Sequence, residues 1–82
     1  MGILEWSENS VKFLEKLDGK SSERIVRKMN VVKDEPMRYI ERLEGKGYGK
    51  IRIGHFRLFV DYLFNEDKLF VRAIRFRKNA YN

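Results

Sequence analysis

The sequence predicts an α+β domain, an N-terminal helical hairpin packed on an antiparallel β-sheet. Three observations carry this. Apolar residues recur at helical spacing through the first half of the chain. A glycine-rich joint, Glu44-Gly45-Lys46-Gly47-Tyr48-Gly49, then interrupts the pattern. Beyond the joint the period changes to two. At 82 residues, of which 43% are hydrophobic, the chain is long enough for one core and no more, so residues 1–82 read as a single domain.

Ile3-Leu4-Glu5-Trp6 is a short apolar opening suited to an edge strand. Ser7 reads as a helix N-cap, with Val11, Leu14 and Leu17 following at helical spacing and Phe13 widening the stripe. Asp18-Gly19 reads as a stop signal, with Gly19 suited to a left-handed C-cap. Ser21 or Ser22 then caps a second helix, in which Ile25, Met29 and Val32 recur at i, i+4 and i+7. Pro36 ends or interrupts it, and Tyr39 and Leu43 are spaced for a short helical turn over residues 37–43. Lys50-Ile51-Arg52-Ile53 alternates strictly, Gly54-His55 makes a tight hairpin turn, and residues 56–64 read as a long central strand. Residues 65–68 form a polar turn, and residues 69–76 a closing strand.

Charge is segregated. Residues 1–45 hold nine Lys/Arg and nine Asp/Glu, whereas residues 46–82 hold nine Lys/Arg against Asp61, Glu66 and Asp67. The net charge of +6 therefore belongs entirely to the sheet half, and segregated positive charge points to an anionic partner, nucleic acid first. The chain has no Cys, which removes disulfides, Cys-based metal sites and a thiol nucleophile and fits a reducing cytoplasm. No apolar run approaches the roughly 20 residues of a membrane span. Met1 to Trp6 lacks the pattern of a secretory signal.

Strand alternation places the chemistry. Lys50 and Arg52 share a face opposite Ile51 and Ile53, and Arg57 shares one with Phe59 and Asp61. Leu58, Val60, Tyr62 and Phe64 take the core side. In the last strand Arg75 and Arg77 share a face with Val71 and Ala73, while Phe70, Arg72, Ile74 and Phe76 lie opposite. Lys50, Arg52, Arg57 and Arg75 thus gather on one open sheet face. Any one of them reads first as a solvated charge that guards the sheet against aggregation. The group does not, because like charges across a sheet repel and few carboxylates stand nearby in sequence.

Such a cluster suits RNA cleavage. Attack of the 2′-hydroxyl needs a base, stabilisation of charge on the phosphorus, and an acid for the leaving 5′-oxygen. Arg clamps phosphate oxygens through two parallel hydrogen bonds, Lys among cations is a candidate base, and Tyr serves as acid, base or stacking surface. The scheme calls for no metal and no cofactor. Other site types lack their parts. His55 is the single His and sits in a turn, Asp61 alone makes no two-metal cluster, and the glycine joint lacks the Gly-Lys-Ser/Thr ending of a phosphate loop. Ser7, Ser10, Ser21 and Ser22 read as caps, and Trp6, Phe13, Leu14, Tyr39 and Tyr48 as packing residues.

The stretch from Leu43 through Gly49-Lys50-Ile51-Arg52-Ile53-Gly54-His55-Phe56-Arg57, with the closing Arg75-Phe76-Arg77-Lys78-Asn79-Ala80-Tyr81, resembles the RelE/ParE toxin superfamily. Leu-x-Gly before the sheet, a Gly-x-aromatic-Arg entry to the central strand and an Arg-rich closing strand ending near a Tyr are the shared motifs. The resemblance implies a RelE-like fold and a type II toxin that cleaves messenger RNA in the 30S A site of the ribosome and is held inactive by an antitoxin, with no membrane or metal involved. By position, it makes Lys50 the candidate base and Arg52 its basic neighbour. Arg57 holds the scissile phosphate, Arg75 or, two residues on, Arg77 acts on the transition state or leaving group, and Tyr81 stacks on or activates the substrate. Lys46, Arg77 and Lys78 extend the RNA-binding surface. Arg52 stands where RelE has Lys, and an Arg does not give up its proton. The alternatives within the resemblance are a ParE-like gyrase inhibitor and a non-catalytic RNA- or ribosome-binding module.

Overall fold

In a computed structural model, residues 2–43, 45 and 47–77 are described. Tyr81, Lys46 and Lys78, three of the candidate site residues, lie outside them. The elements run β1 (Ile3–Trp6), α1 (Glu8–Lys16), α2 (Gly19–Val32), α3 (Pro36–Tyr39), β2 (Glu41–Arg42), β3 (Gly49–Ile53), β4 (Phe56–Leu63), a 3₁₀ turn (Phe64–Glu66) and β5 (Lys68–Phe76). The α+β class holds. The sheet order is β1-β5-β4-β3-β2. It is antiparallel from β2 to β5, while β1 pairs in parallel with β5, Ile3 opposite Lys68 through Trp6 opposite Val71. The sheet is therefore mixed, with the predicted edge strand at one margin and the last strand inside it. Among the described residues no helix is long and apolar enough to cross a membrane.

The helices cover one face. Ile25, Met29 and Val32 of α2 are fully buried and pack with Ile51, Ile53, Phe56, Leu58, Val60, Leu69, Val71 and Ile74 of the sheet. Burying these side chains, at roughly 1.5–3 kcal/mol for each large aliphatic, holds the two layers together. On α1 the inward residues are Ser10, Phe13, Leu14 and Leu17, with Phe13 edge-on to Phe56 at 6.2 Å. Val11, expected on the apolar stripe, is instead exposed, because the stripe is centred one residue earlier on Ser10.

Four other expectations change. Gly19 is no C-cap. Leu17 caps α1, and the Asp18 carboxylate accepts the Ser21 backbone N–H at 3.2 Å, so Asp18 opens α2 and Gly19 is its first residue. Hydrogen bonds from the Ser21 hydroxyl and N–H hold the Asp18 carboxyl below its ordinary range. Pro36 does not terminate α2, which ends at Val32. It opens α3, where its missing N–H costs nothing. The helical turn stops at Tyr39, and Glu41–Arg42 leave it to pair with Lys50 and Gly49 as β2. Phe64 lies in the 3₁₀ turn after β4 and is exposed, since strand alternation ends at Leu63.

The sixth change matters most for the site. Phe59 pairs with Ala73, and Val60 pairs with Val71, so Arg72 is an inserted residue in β5. This bulge switches the side-chain parity. Leu69 and Val71 face the core before it, and Ile74 faces the core after it. Val71 is thus a core residue, Phe70 and Arg72 do not share the face of Ile74, and Arg75 still reaches the open face with Ala73.

Candidate nucleic-acid interface

The open face is built by register. Arg52 of β3 lies opposite Arg57 of β4, and Arg57 lies opposite Arg75 of β5. Three arginines therefore form one row across β3, β4 and β5, one residue in from the β3–β4 turn, with neighbouring Cα atoms about 4.5–5.5 Å apart. The next row is Lys50, Phe59 and Ala73. Among the described residues no carboxylate forms an ion pair with any arginine of the row. Arg57, at its centre, is half-buried, and its Nε is enclosed without a hydrogen-bond partner among the described residues. A buried guanidinium donor left unmatched is costly, and three aligned cations repel one another. A phosphate seated on the row would relieve both. Arg75 spends one Nη1 hydrogen bond, at 3.1 Å, on the carbonyl of Ile74.

Lys50 differs from the row. Its side chain is only 12% exposed, and its Nζ lies 3.9 Å from Oε1 of Glu41, its register partner on β2. This carboxylate could not be anticipated from a sequence reading that lacked β2. Arg77 stands just past β5, its backbone N–H donating to the His55 carbonyl at 2.8 Å and its Nη1 reaching the Gly54 carbonyl at 3.5 Å. It is tied to the β3–β4 turn and not to the row. His55 is an exposed turn residue.

The bulge adds residues that the alternation pattern left on the wrong side. The Arg72 guanidinium lies 4.3 Å from the ring centre of Tyr48, and its Nε is 3.6 Å from Oδ2 of Asp61. Tyr48 in turn meets Phe59 edge-on at 5.9 Å. Tyr48, Phe59, Arg72, Ala73 and Arg75 line a shallow cleft of about 250 Å³ beside the arginine row. Aromatic and guanidinium planes of this kind accept unstacked bases. The signal for the bulge was present, since the apolar pairs Leu69/Val71 and Ile74/Phe76 are out of phase by one residue.

No protein-family model matches the sequence, and no curated protein sequence does. Solved structures do match. The toxin–antitoxin complex RelBE2 of Mycobacterium tuberculosis aligns at a TM-score of 0.82 and 19% identity, covering 93% of this chain and 98% of that one. The RelE–RelB complex of Pyrococcus horikoshii aligns at 0.80 and 18%, covering 93% and 94%. The chain has the RelE fold. The isolated RelE toxin of E. coli aligns at 0.77 and 23%, covering 93% of this chain and 84% of that one. The helical hairpin on a mixed five-stranded sheet thus follows the RelE fold over 93% of this chain. Identities of this size carry the fold across, and the activity has to be argued from the arginine row.

Proposed function

We propose that this RelE-fold chain is the toxin of a toxin–antitoxin pair, a metal-independent endoribonuclease that cleaves messenger RNA in the ribosomal A site within the cytoplasm. The observation that carries the reading is the Arg52–Arg57–Arg75 row with an unmatched guanidinium donor at its centre. The 2′-hydroxyl of the message attacks the adjacent phosphorus, and the bond to the 5′-oxygen breaks, leaving a 2′,3′-cyclic phosphate and a 5′-hydroxyl. Arg57 grips the phosphate, with Arg52 beside it. Arg75 neutralises charge as it develops, the effect that contributes most in such sites. Lys50 takes the base role, because Arg52 does not release a proton. Tyr81 stacks on or protonates the substrate, and Lys46, Arg77 and Lys78 contribute charge to RNA binding. That neighbours of the same fold were solved as RelBE and RelE–RelB complexes supports an antitoxin partner.

The test is to add the purified protein to programmed ribosomes and map the new message ends. Wild type should generate ends within the A-site codon. Arg57→Ala and Arg75→Ala should each slow their appearance by about 10²–10³-fold, the cost of removing one charge-stabilising donor, with thermal melts close to wild type. Programmed ribosomes that show no new ends after addition of the wild-type protein would overturn the nuclease reading. Ends that form at wild-type rates in both variants would overturn the roles given to the two arginines.

A further inference from the structure

The arginine row does not stop at the edge of the open face. β2 covers β3 only at Gly49 and Lys50, so the sheet margin is uncovered from Ile51 to the turn. There Arg52 joins Arg24, Arg27 and Lys28 of α2 in lining a cleft of about 480 Å³, together with Val31, Ile53 and Gly54. Every charged residue of that lining is a cation. Glu23 pairs with Arg27, which leaves Arg24, Lys28 and Arg52 without an ion pair among the described residues. Arg24 abuts the turn itself, since a Cβ placed on Gly54 would fall 2.9 Å from its Nη1. The Arg77 guanidinium contacts the other side of the same glycine through its carbonyl. Gly54 also has a φ of +56°, so no side chain fills the gap between these cations.

This placement works against helix stability. Lys20, Arg24 and Lys28 recur at i, i+4 and i+8 on α2, and like charges at that spacing destabilise a helix. Asp18 at the N-cap answers the dipole of α2, but it lies at the far end of the helix from Lys28 and pairs with none of these cations. A run of like charges along one helix stripe is accounted for when a polyanion supplies the missing charge.

We propose that the phosphodiester backbone of the RNA strand held on the row continues over the β3 margin into the α2 cleft. The track runs Arg75, Arg57, Arg52, then Arg24 and Lys28. It rests on the reading of the row as an RNA site and extends it from one phosphate to a strand several nucleotides long. Arg52 is the hinge, because it belongs both to the row and to the cleft.

The experiment measures binding of non-cleavable 2′-O-methyl RNA strands of about 4 and about 12 nucleotides, sizes spanning typical single-strand sites, by fluorescence anisotropy over a range of salt. Wild type, Arg24→Ala/Lys28→Ala and Arg57→Ala are compared, with circular dichroism confirming the fold. Alanine has the highest helix propensity, so helicity is kept at exposed Arg24 and at half-buried Lys28, which gives up its place 4.6 Å from the Tyr39 ring centre. The double variant should bind the long strand with a log K against log salt slope shallower by about 1.4, two phosphate contacts at about 0.7 each, and about tenfold more weakly at low salt. It should bind the short strand as wild type does. Arg57→Ala should weaken both. If the double variant matches wild type on the long strand while Arg57→Ala fails on both, the track falls and the row stands. If Arg57→Ala binds both strands as wild type does, the row falls and the track with it. A defect seen only with whole ribosomes, with unchanged slopes on free strands, assigns the cleft to a different RNA and overturns the continuous track.

Discussion

Asp67 takes a left-handed backbone conformation at φ 47°, one of the few side chains that tolerates it, and so ends the 3₁₀ turn without glycine. The same residue accepts a hydrogen bond from the Tyr62 hydroxyl at 2.9 Å. That bond, with partial burial and the carboxylate's negative charge, raises the Tyr62 phenol above its ordinary value of 10.0. The folded state therefore holds this proton more tightly than the unfolded chain. Its contribution is complete below pH 10 and is lost as pH rises through the folded value. Tyr62→Phe should accordingly lower the urea midpoint at neutral pH, and the gap to wild type should close above pH 10, where only the wild type has a proton left to lose. At this scale the open-face places of Arg52 and Arg57 were legible from parity, since they alternate with Ile51, Ile53 and Leu58, whereas Arg75 reaches the row across an irregularity that parity missed. Arg72 was not, because its orientation depends on a strand irregularity and not on its own identity.

Between elements, the N-terminus of α1 clamps the bulge. The Ser7 backbone N–H donates to the Val71 carbonyl at 2.9 Å, and the Ser7 hydroxyl donates to the carbonyl of the inserted Arg72 at 2.7 Å. The Ser10 hydroxyl, fully buried, reaches the Val71 carbonyl at 3.2 Å, while the Ser10 N–H donates to the Ser7 oxygen at 3.1 Å. A helix cap thus supplies the donors that an interrupted ladder leaves missing. Ser7→Ala loses the cap and the bulge contact together and should cost about 1–2 kcal/mol, a fall of several degrees in melting temperature. Ser10→Ala should cost about as much, and the double variant less than the sum, because the two serines share their partners. Thermal melts of the three variants measure this directly. The sequence shows Ser7 as a cap through its place before an apolar stripe. It hides the second role, since the Arg72 carbonyl that the Ser7 hydroxyl reaches lies 65 residues away in the chain. Likewise β2 escaped notice because two residues show no period, and Gly19 misled because Asp18 caps the helix before it needs a C-cap.

For the whole molecule, the single core sets the margin. Met29 is fully buried in the last turn of α2 against the sheet. Met29→Ala should cost about 2–5 kcal/mol, a large share of the roughly 5–15 kcal/mol that holds a small domain folded. Urea denaturation should show the midpoint falling with little change in slope. The helical stripe Ile25, Met29 and Val32 and the period-two strands made this layer arrangement readable, whereas the parallel seat of β1 beside β5 carries no local signal. That seat has a consequence in time. β1 is made first, yet its partners stand 65 residues later, at Lys68 to Val71, and β5 lies between β1 and β4. At about 5–20 residues per second of synthesis, the opening strand waits several seconds for the one that completes its sheet, and Arg57 has no Arg75 opposite it until then. Until β5 is made the arginine row is incomplete, so a protein proposed to cut messages on ribosomes lacks its assembled row while that strand is still to come.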